Sequence, residues 1–300
     1  MIITSQQKKL HKAVRLGDLE TATKILASGT SPDFLFESKR GYVATTPLME
    51  ASSQGNLSLV QLLSTTSAID MENIHGATAL YYAISSKVSL VSPDIVELLL
   101  NVGANPNITP SGMCVGTIFC ASIAKGRLAL VRTFLKYGAS IQVPPPVIRF
   151  PLGEAGSVGD VDIIKELLSR GAFVNSQDQT GGTALLFASS AGHIGAVELL
   201  LQYGADPNIP GSRGETPIIA ASDQIGSSAF ENTSRVYLAI IRDLLQAGAN
   251  PNVVAKNGWT PLDFVEYWPR YHNQEVLPEW ISAAVGLLRE KGAMRRCELS

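Results

Sequence analysis

Apolar residues along this chain come in paired stretches at helical spacing, and each pair is followed by glycine and an extended polar segment. The first stretch of a pair opens on a recurring tripeptide: Thr46-Pro47-Leu48, Thr78-Ala79-Leu80, Thr117-Ile118-Phe119, Phe150-Pro151-Leu152, Thr183-Ala184-Leu185, Thr216-Pro217-Ile218 and Thr260-Pro261-Leu262. Threonine suits a helix start because its hydroxyl can accept from a free N–H of the first turn. Proline at the next position lacks only a donor that would be unpaired anyway. The second stretch reads, for example, Ile95 to Leu100 or Ala196 to Leu201. Short turns such as Gly55-Asn56, Gly159-Asp160 and Gly192-His193 separate the two helices. A Gly-Ala pair closes the later units at Gly103, Gly138, Gly171, Gly204, Gly248 and Gly292, where glycine supplies a left-handed C-cap. One unit is therefore helix, turn, helix and loop. None can cover its own apolar face, so neighbours must stack.

The unit starts at Thr117, Phe150, Thr183 and Thr216 are 33 residues apart by subtraction. That period, held in phase by two markers, resembles the ankyrin repeat. The resemblance implies an all-α ankyrin-repeat solenoid, with helix-turn-helix units stacked through extended loops. It covers nearly the whole chain as a single array over residues 1–300, about eight repeats with the caps. An N-terminal capping repeat is expected at 6–40, central repeats at 41–255, and a C-terminal capping repeat with an insertion at 256–300.

Departures from the family pattern carry further expectations. Family members usually place His after Thr-Pro-Leu, where it ties adjacent loops. Here the slot holds Met49, Tyr81, Cys120, Gly153, Leu186, Ile219 and Asp263, and only the first unit keeps His11. The array should then lean on apolar packing. His11 and His193 fall in structural slots, His75 sits at a loop tip where exposure is expected, and His272 lies in an insertion. Asp94 and Asp263 likewise read as carboxylates without a neighbour at a triad or metal spacing.

Extra residues enter between the helices of three repeats. Repeat three is extended around Lys87 to Pro93. Repeat seven reads as a loop around Gly226-Ser227-Ser228 before a long helix from about Ser234 to Ala247. In repeat eight, Pro269 should stop the first helix and Pro278-Glu279-Trp280 restart the second. The loop from Asp33 to Thr46 is also long; its Phe34, Phe36 and Tyr42 are either a contact surface or a cover for the next core.

The chain carries Lys+Arg 24 against Asp+Glu 26, a net charge of −2, so no basic field calls for nucleic acid. No apolar run reaches the ~20 residues of a membrane span, and the first residues lack a secretory apolar core. Cys114, Cys120 and Cys297 match no zinc spacing and fit a reducing compartment. No histidine has a partner at a triad or metal spacing.

In such an array the first helices and loop tips line a groove. The position before the inner alanine holds Glu50, Tyr82, Ala121, Glu154, Phe187, Ala220 and Phe264, with His75, Arg149, Arg213 and Trp259 at nearby tips. Aromatic anchors among scattered charges suit protein recognition; the competing reading is that the aromatics fill gaps left by missing histidines. The expected partner-binding set is Glu50, His75, Tyr82, Arg149, Glu154, Phe187, Arg213, Trp259 and Phe264. A non-enzymatic scaffold or adaptor follows, binding a protein or peptide as a monomer, without cofactor, metal or nucleic acid. The expected location is the cytoplasm, with the nucleus, or a host cell for a secreted effector, as alternatives. The alternative function is a small-molecule-binding protein or unusual enzyme beside the repeat-seven insertion, using Tyr81, Tyr82, Glu50, Glu154 and Asp223.

Overall fold

The computed structural model describes residues 3–36, 44–85, 93–110, 116–142, 149–227, 231–271 and 278–299. Sixteen α-helices are present among them, and extended segments meet as isolated bridges, Phe36 with Thr45 and Gln177 with Thr183. The helices are paired along the chain, each first helix packing on the second of its repeat. The chain divides into two compact units, Met1–Ser140 and Ile141–Ser300.

The first unit holds α1 (Ser5–Leu16), α2 (Leu19–Ala27), α3 (Pro47–Ser53), α4 (Leu57–Ser64), α5 (Ala79–Ser85), α6 (Pro93–Asn101), α7 (Ile118–Ile123) and α8 (Leu128–Lys136). Odd-numbered helices pack on one another as one layer and even-numbered helices as a second. Leu48, Leu59, Leu63, Leu80 and Leu99 are buried between them, and Phe119 stacks on Phe134 at 5.8 Å between ring centres. Truncating such a leucine to alanine removes transfer energy and leaves a cavity, costing about 2–5 kcal/mol.

The second unit repeats the arrangement with α9 (Pro151–Val158), α10 (Val161–Ser169), α11 (Ala184–Ala191), α12 (Ile194–Gln202), α13 (Pro217–Ser227), α14 (Glu231–Gln246), α15 (Pro261–Tyr271) and α16 (Glu279–Glu290). The first-helix layer runs α9, α11, α13, α15. Gly156 lets α9 and α11 approach closely: a Cβ there would lie 2.6 Å from the carbonyl oxygen of Ala184.

The tripeptide works as its chemistry suggests. Thr46, Thr117 and Thr183 hydroxyls accept from the third N–H of their helices at 3.1, 3.2 and 3.1 Å. Thr216 departs, its hydroxyl buried without a partner. Asp18, Asn56 and Asp160 cap the second helices in the same way.

Adjacent repeats are joined by more than apolar contact. Asn208 Oδ1 accepts from Asn250 N–H at 2.8 Å while its Nδ2 donates to the Gly248 carbonyl at 3.0 Å. Asn107 does the same with Ser140 and Gly138, and Asn252 with Met294 and Gly292. Each asparagine follows its own Gly-Ala, so an amide ladder binds one loop to the next. These bonds add to the apolar packing on which the array leans.

The empty histidine slots are partly refilled. The Asp263 carboxylate accepts from Thr260 N–H, the Thr260 hydroxyl and Arg296 N–H, each at 2.9 Å, so it ties its loop to the C-terminal tail. Met49 sulfur accepts weakly from Thr46 N–H at 3.4 Å. His11 is buried and stacks on Phe36 at 4.0 Å, and burial lowers its pKa. With Phe34 buried as well, the long early loop covers the core; Glu37, Lys39, Arg40 and Tyr42 lie outside the described residues.

The insertions behave differently from their expectation. Helix α13 continues through Gly226 and Ser227, and α14 begins at Glu231 rather than near Ser234. Helix α15 passes Pro269 and ends at Tyr271. Proline there removes one bond of the last turn only, and packing of α15 on α13 holds the rest. Residues 87–92 of the repeat-three insertion, Ser228, His272 and Cys114 lie outside the described residues.

Candidate functional site

The expected binding residues fall into two groups, one in each unit. In the first unit, Asn73 gathers two of them. Its Oδ1 accepts from His75 N–H at 2.9 Å and its Nδ2 donates to the Tyr82 hydroxyl at 3.1 Å. His75 is half-buried rather than exposed, because the same Oδ1 also accepts from Ala77 N–H and closes the loop tip around it. Burial raises the Tyr82 pKa, which the Asn73 bond opposes. Glu50, on the neighbouring α3, accepts from Gln54 Nε2 at 2.8 Å. These polar groups are largely committed to the protein's own bonds.

In the second unit the first-helix layer and loop tips bring together Arg149, Glu154, Phe187, Arg213, Trp259 and Phe264. Arg149 grips Glu154 at both carboxylate oxygens, 2.9 and 2.7 Å. Glu154 is only 6 % exposed, so it is an internal counter-charge and not a free groove charge. A recess of about 250 Å³ opens beside this pair, with Asp178, Thr180 and Phe187 on its walls.

A larger cavity of about 530 Å³ follows on the other side of Phe187. Its helical wall is formed by Phe187 of α11, Ala220 and Asp223 of α13 and Phe264 of α15. Arg213, Glu215 and Lys256 contribute from the loops. The origin is legible in the repeat: the groove position reads Phe187, Ala220, Phe264 in successive repeats, so a methyl group sits where its neighbours carry rings. The missing volume is a notch between two half-buried aromatics. Phe264 meets Trp259 edge to face at 5.1 Å, and Trp259 also lies 4.5 Å from Tyr267. Trp259 thus buttresses Phe264 from outside the cavity.

The charges are uneven. Glu215 accepts from Arg213 N–H at 2.8 Å and lies 3.5 Å from its guanidinium, whose side chain is 87 % exposed. Asp223 is half-buried and its carboxylate has no hydrogen bond or ion pair among the described residues. Burial raises its pKa, with Arg213 opposing the rise across the cavity. Asp223 stood only in the alternative reading of the sequence; its helical spacing from Ala220 is the signal that places both on one face.

This two-layer stack of helix pairs, joined by capped loops, defines a helical repeat protein. A family model of ankyrin repeats, in three copies, matches residues 10–110 and 152–233, and the chain belongs to the ankyrin repeat family. Two solved structures share the fold. The human ASB11 ankyrin repeat domain aligns at 23 % identity and TM-score 0.65, over 83 % of this chain and 99 % of that one. The ankyrin repeat domain of Bcl-3, a member of the IkappaB protein family, aligns at 23 % identity and TM-score 0.59, over 82 % of this chain and 98 % of that one. Among the described residues no helix is long and apolar enough to cross a membrane.

Proposed function

We propose that this chain is a protein-interaction scaffold or adaptor that holds a peptide or protein partner against the first-helix face of its second unit. Repeat stacks in general present extended binding surfaces. The observation that supports this face in particular is the notch between Phe187 and Phe264. It offers two aromatic anchors around a space the size of one or two side chains, with charge at its edge, the makeup of an interaction hot spot. The single array over 1–300 with capping repeats at its ends belongs to the same proposal. So does a cytoplasmic monomer, in keeping with the exposed Cys297 thiol, a state that a reducing compartment maintains.

Titration of a captured partner against single variants tests the proposal. Phe187→Ala and Phe264→Ala should each weaken binding strongly, while Glu198→Ala, on an exposed face of α12, should leave it unchanged. Equal affinities for all three would move the interface elsewhere.

A further inference from the structure

The distribution of charge around the larger cavity specifies its guest more closely. Glu215 is already occupied by Arg213. Asp223 is the anion left over on the helical wall, half-buried, with no hydrogen bond or ion pair among the described residues. Arg213 acts on its charge only across the cavity. Lys256, in the loop after repeat seven, is exposed and pairs with no described carboxylate. Between the two walls lie apolar side chains, chiefly Phe187, Ile219 and Phe264.

A guest that fits must bring a cation to Asp223 on an apolar stem. It must also bring negative charge to the loop wall, where Lys256 and the exposed Arg213 stand. Arginine and lysine side chains supply such a stem and head, and an aromatic lining favours a cation further. A purely apolar anchor would instead seal Asp223 away from water without compensation, which is costly for a carboxylate.

We infer that the cavity is a receptor for an arginine or lysine side chain of a partner protein, flanked in the partner by an acidic residue that meets Lys256 and Arg213. This rests on the reading of the face as an interaction site and adds the chemistry of the partner. The raised pKa of Asp223 is in keeping with it, because a bound cation would favour the charged carboxylate that burial disfavours.

The test is selection of a randomised peptide library, displayed on phage, against the full chain, followed by titration of the selected peptides. The expected sequences share arginine or lysine next to aspartate or glutamate. Asp223→Asn, nearly isosteric and relieved of a burdened charge, should weaken them roughly tenfold or more. Replacing the peptide's basic residue by alanine should cost as much, with no further loss on Asp223→Asn. Lys256→Ala should weaken them less, since that charge is exposed.

Peptides that depend on Phe187 and Phe264 but bind Asp223→Asn as tightly as the wild type would overturn the basic-residue receptor while leaving the face as the site. Peptides indifferent to Phe187→Ala and Phe264→Ala, or a library that yields no binder, would count against both.

Discussion

The first-helix faces of the two units are built on one repeat plan and end in opposite conditions. In the first, polar groups are spent on each other: Asn73 holds the Tyr82 hydroxyl and closes the His75 loop tip, and Gln54 donates to Glu50. In the second, two aromatics border a notch, and the side chains of Asp223 and Lys256 make no hydrogen bond or ion pair among the described residues. The difference comes from single positions, since alanine at 220 opens space that a larger residue would fill. A repeat array can thus keep its stacking period constant while one stretch of the face is closed by its own hydrogen bonds and another is left open as a notch. Burial raises the Asp223 pKa, so keeping a carboxylate on this wall costs some folding energy, and such a perturbed group in a cavity is what motivates the proposed site.

The largest expected effect that sharpens this contrast is on binding. Phe187→Ala or Phe264→Ala should cost more than ~2 kcal/mol of affinity for a bound partner, because a desolvated anchor is removed. Tyr82→Ala in the first unit should cost little, and comparable losses at Tyr82 would break the contrast.

Next is the close approach that fixes the second face. Gly156→Ala places a methyl group against the Ala184 carbonyl, and α9 and α11 must separate. A loss of about 1–3 kcal/mol is expected by urea denaturation. Somewhat smaller is the loss for Asn208→Ala, which unpairs Asn250 N–H and the Gly248 carbonyl, at about 1–2 kcal/mol in the same assay.

The smallest effects have opposite signs in the two units. Tyr82→Phe deprives Asn73 of an acceptor and should destabilise by about 1 kcal/mol. Asp223→Asn should leave stability unchanged or raise it by up to ~0.5 kcal/mol. Its sign follows from the raised pKa: the folded state prefers the protonated acid, so the ionised carboxylate weakens folding above its folded pKa. Below the ordinary carboxylate value of 3.8 both states are protonated and the gain should vanish. Melting curves at neutral and acid pH measure it, and destabilisation of Asp223→Asn at neutral pH would show a structural role for the charge.

Much of this was legible before any coordinates. The tripeptide and Gly-Ala markers locate helix pairs because capping and chain reversal are local chemistry, written in adjacent residues. The groove position was legible too, including the Phe187, Ala220, Phe264 succession. The asparagine ladder was missed because its partners stand 42 residues away, as Asn208 from Asn250, and pair only once repeats are stacked. The bond from Arg296 N–H to Asp263, which fills the histidine slot, is hidden for the same reason, its two residues being distant in sequence. The helix through Pro269 shows tertiary packing overriding a local stop signal. The Glu154 position was legible, whereas its burial and its pairing with Arg149 emerge only once the loop tip is folded against α9.

Hydrogen–deuterium exchange of the full chain, with and without a bound peptide selected on it, tests the central claim most directly. Protection is expected in α11 and α13 around Phe187 and Ala220, and in the loops carrying Arg213 and Lys256, with α10 and α12 unchanged. Protection confined to α10, α12 or the first unit would contradict an interaction site built on the first-helix face of the second unit.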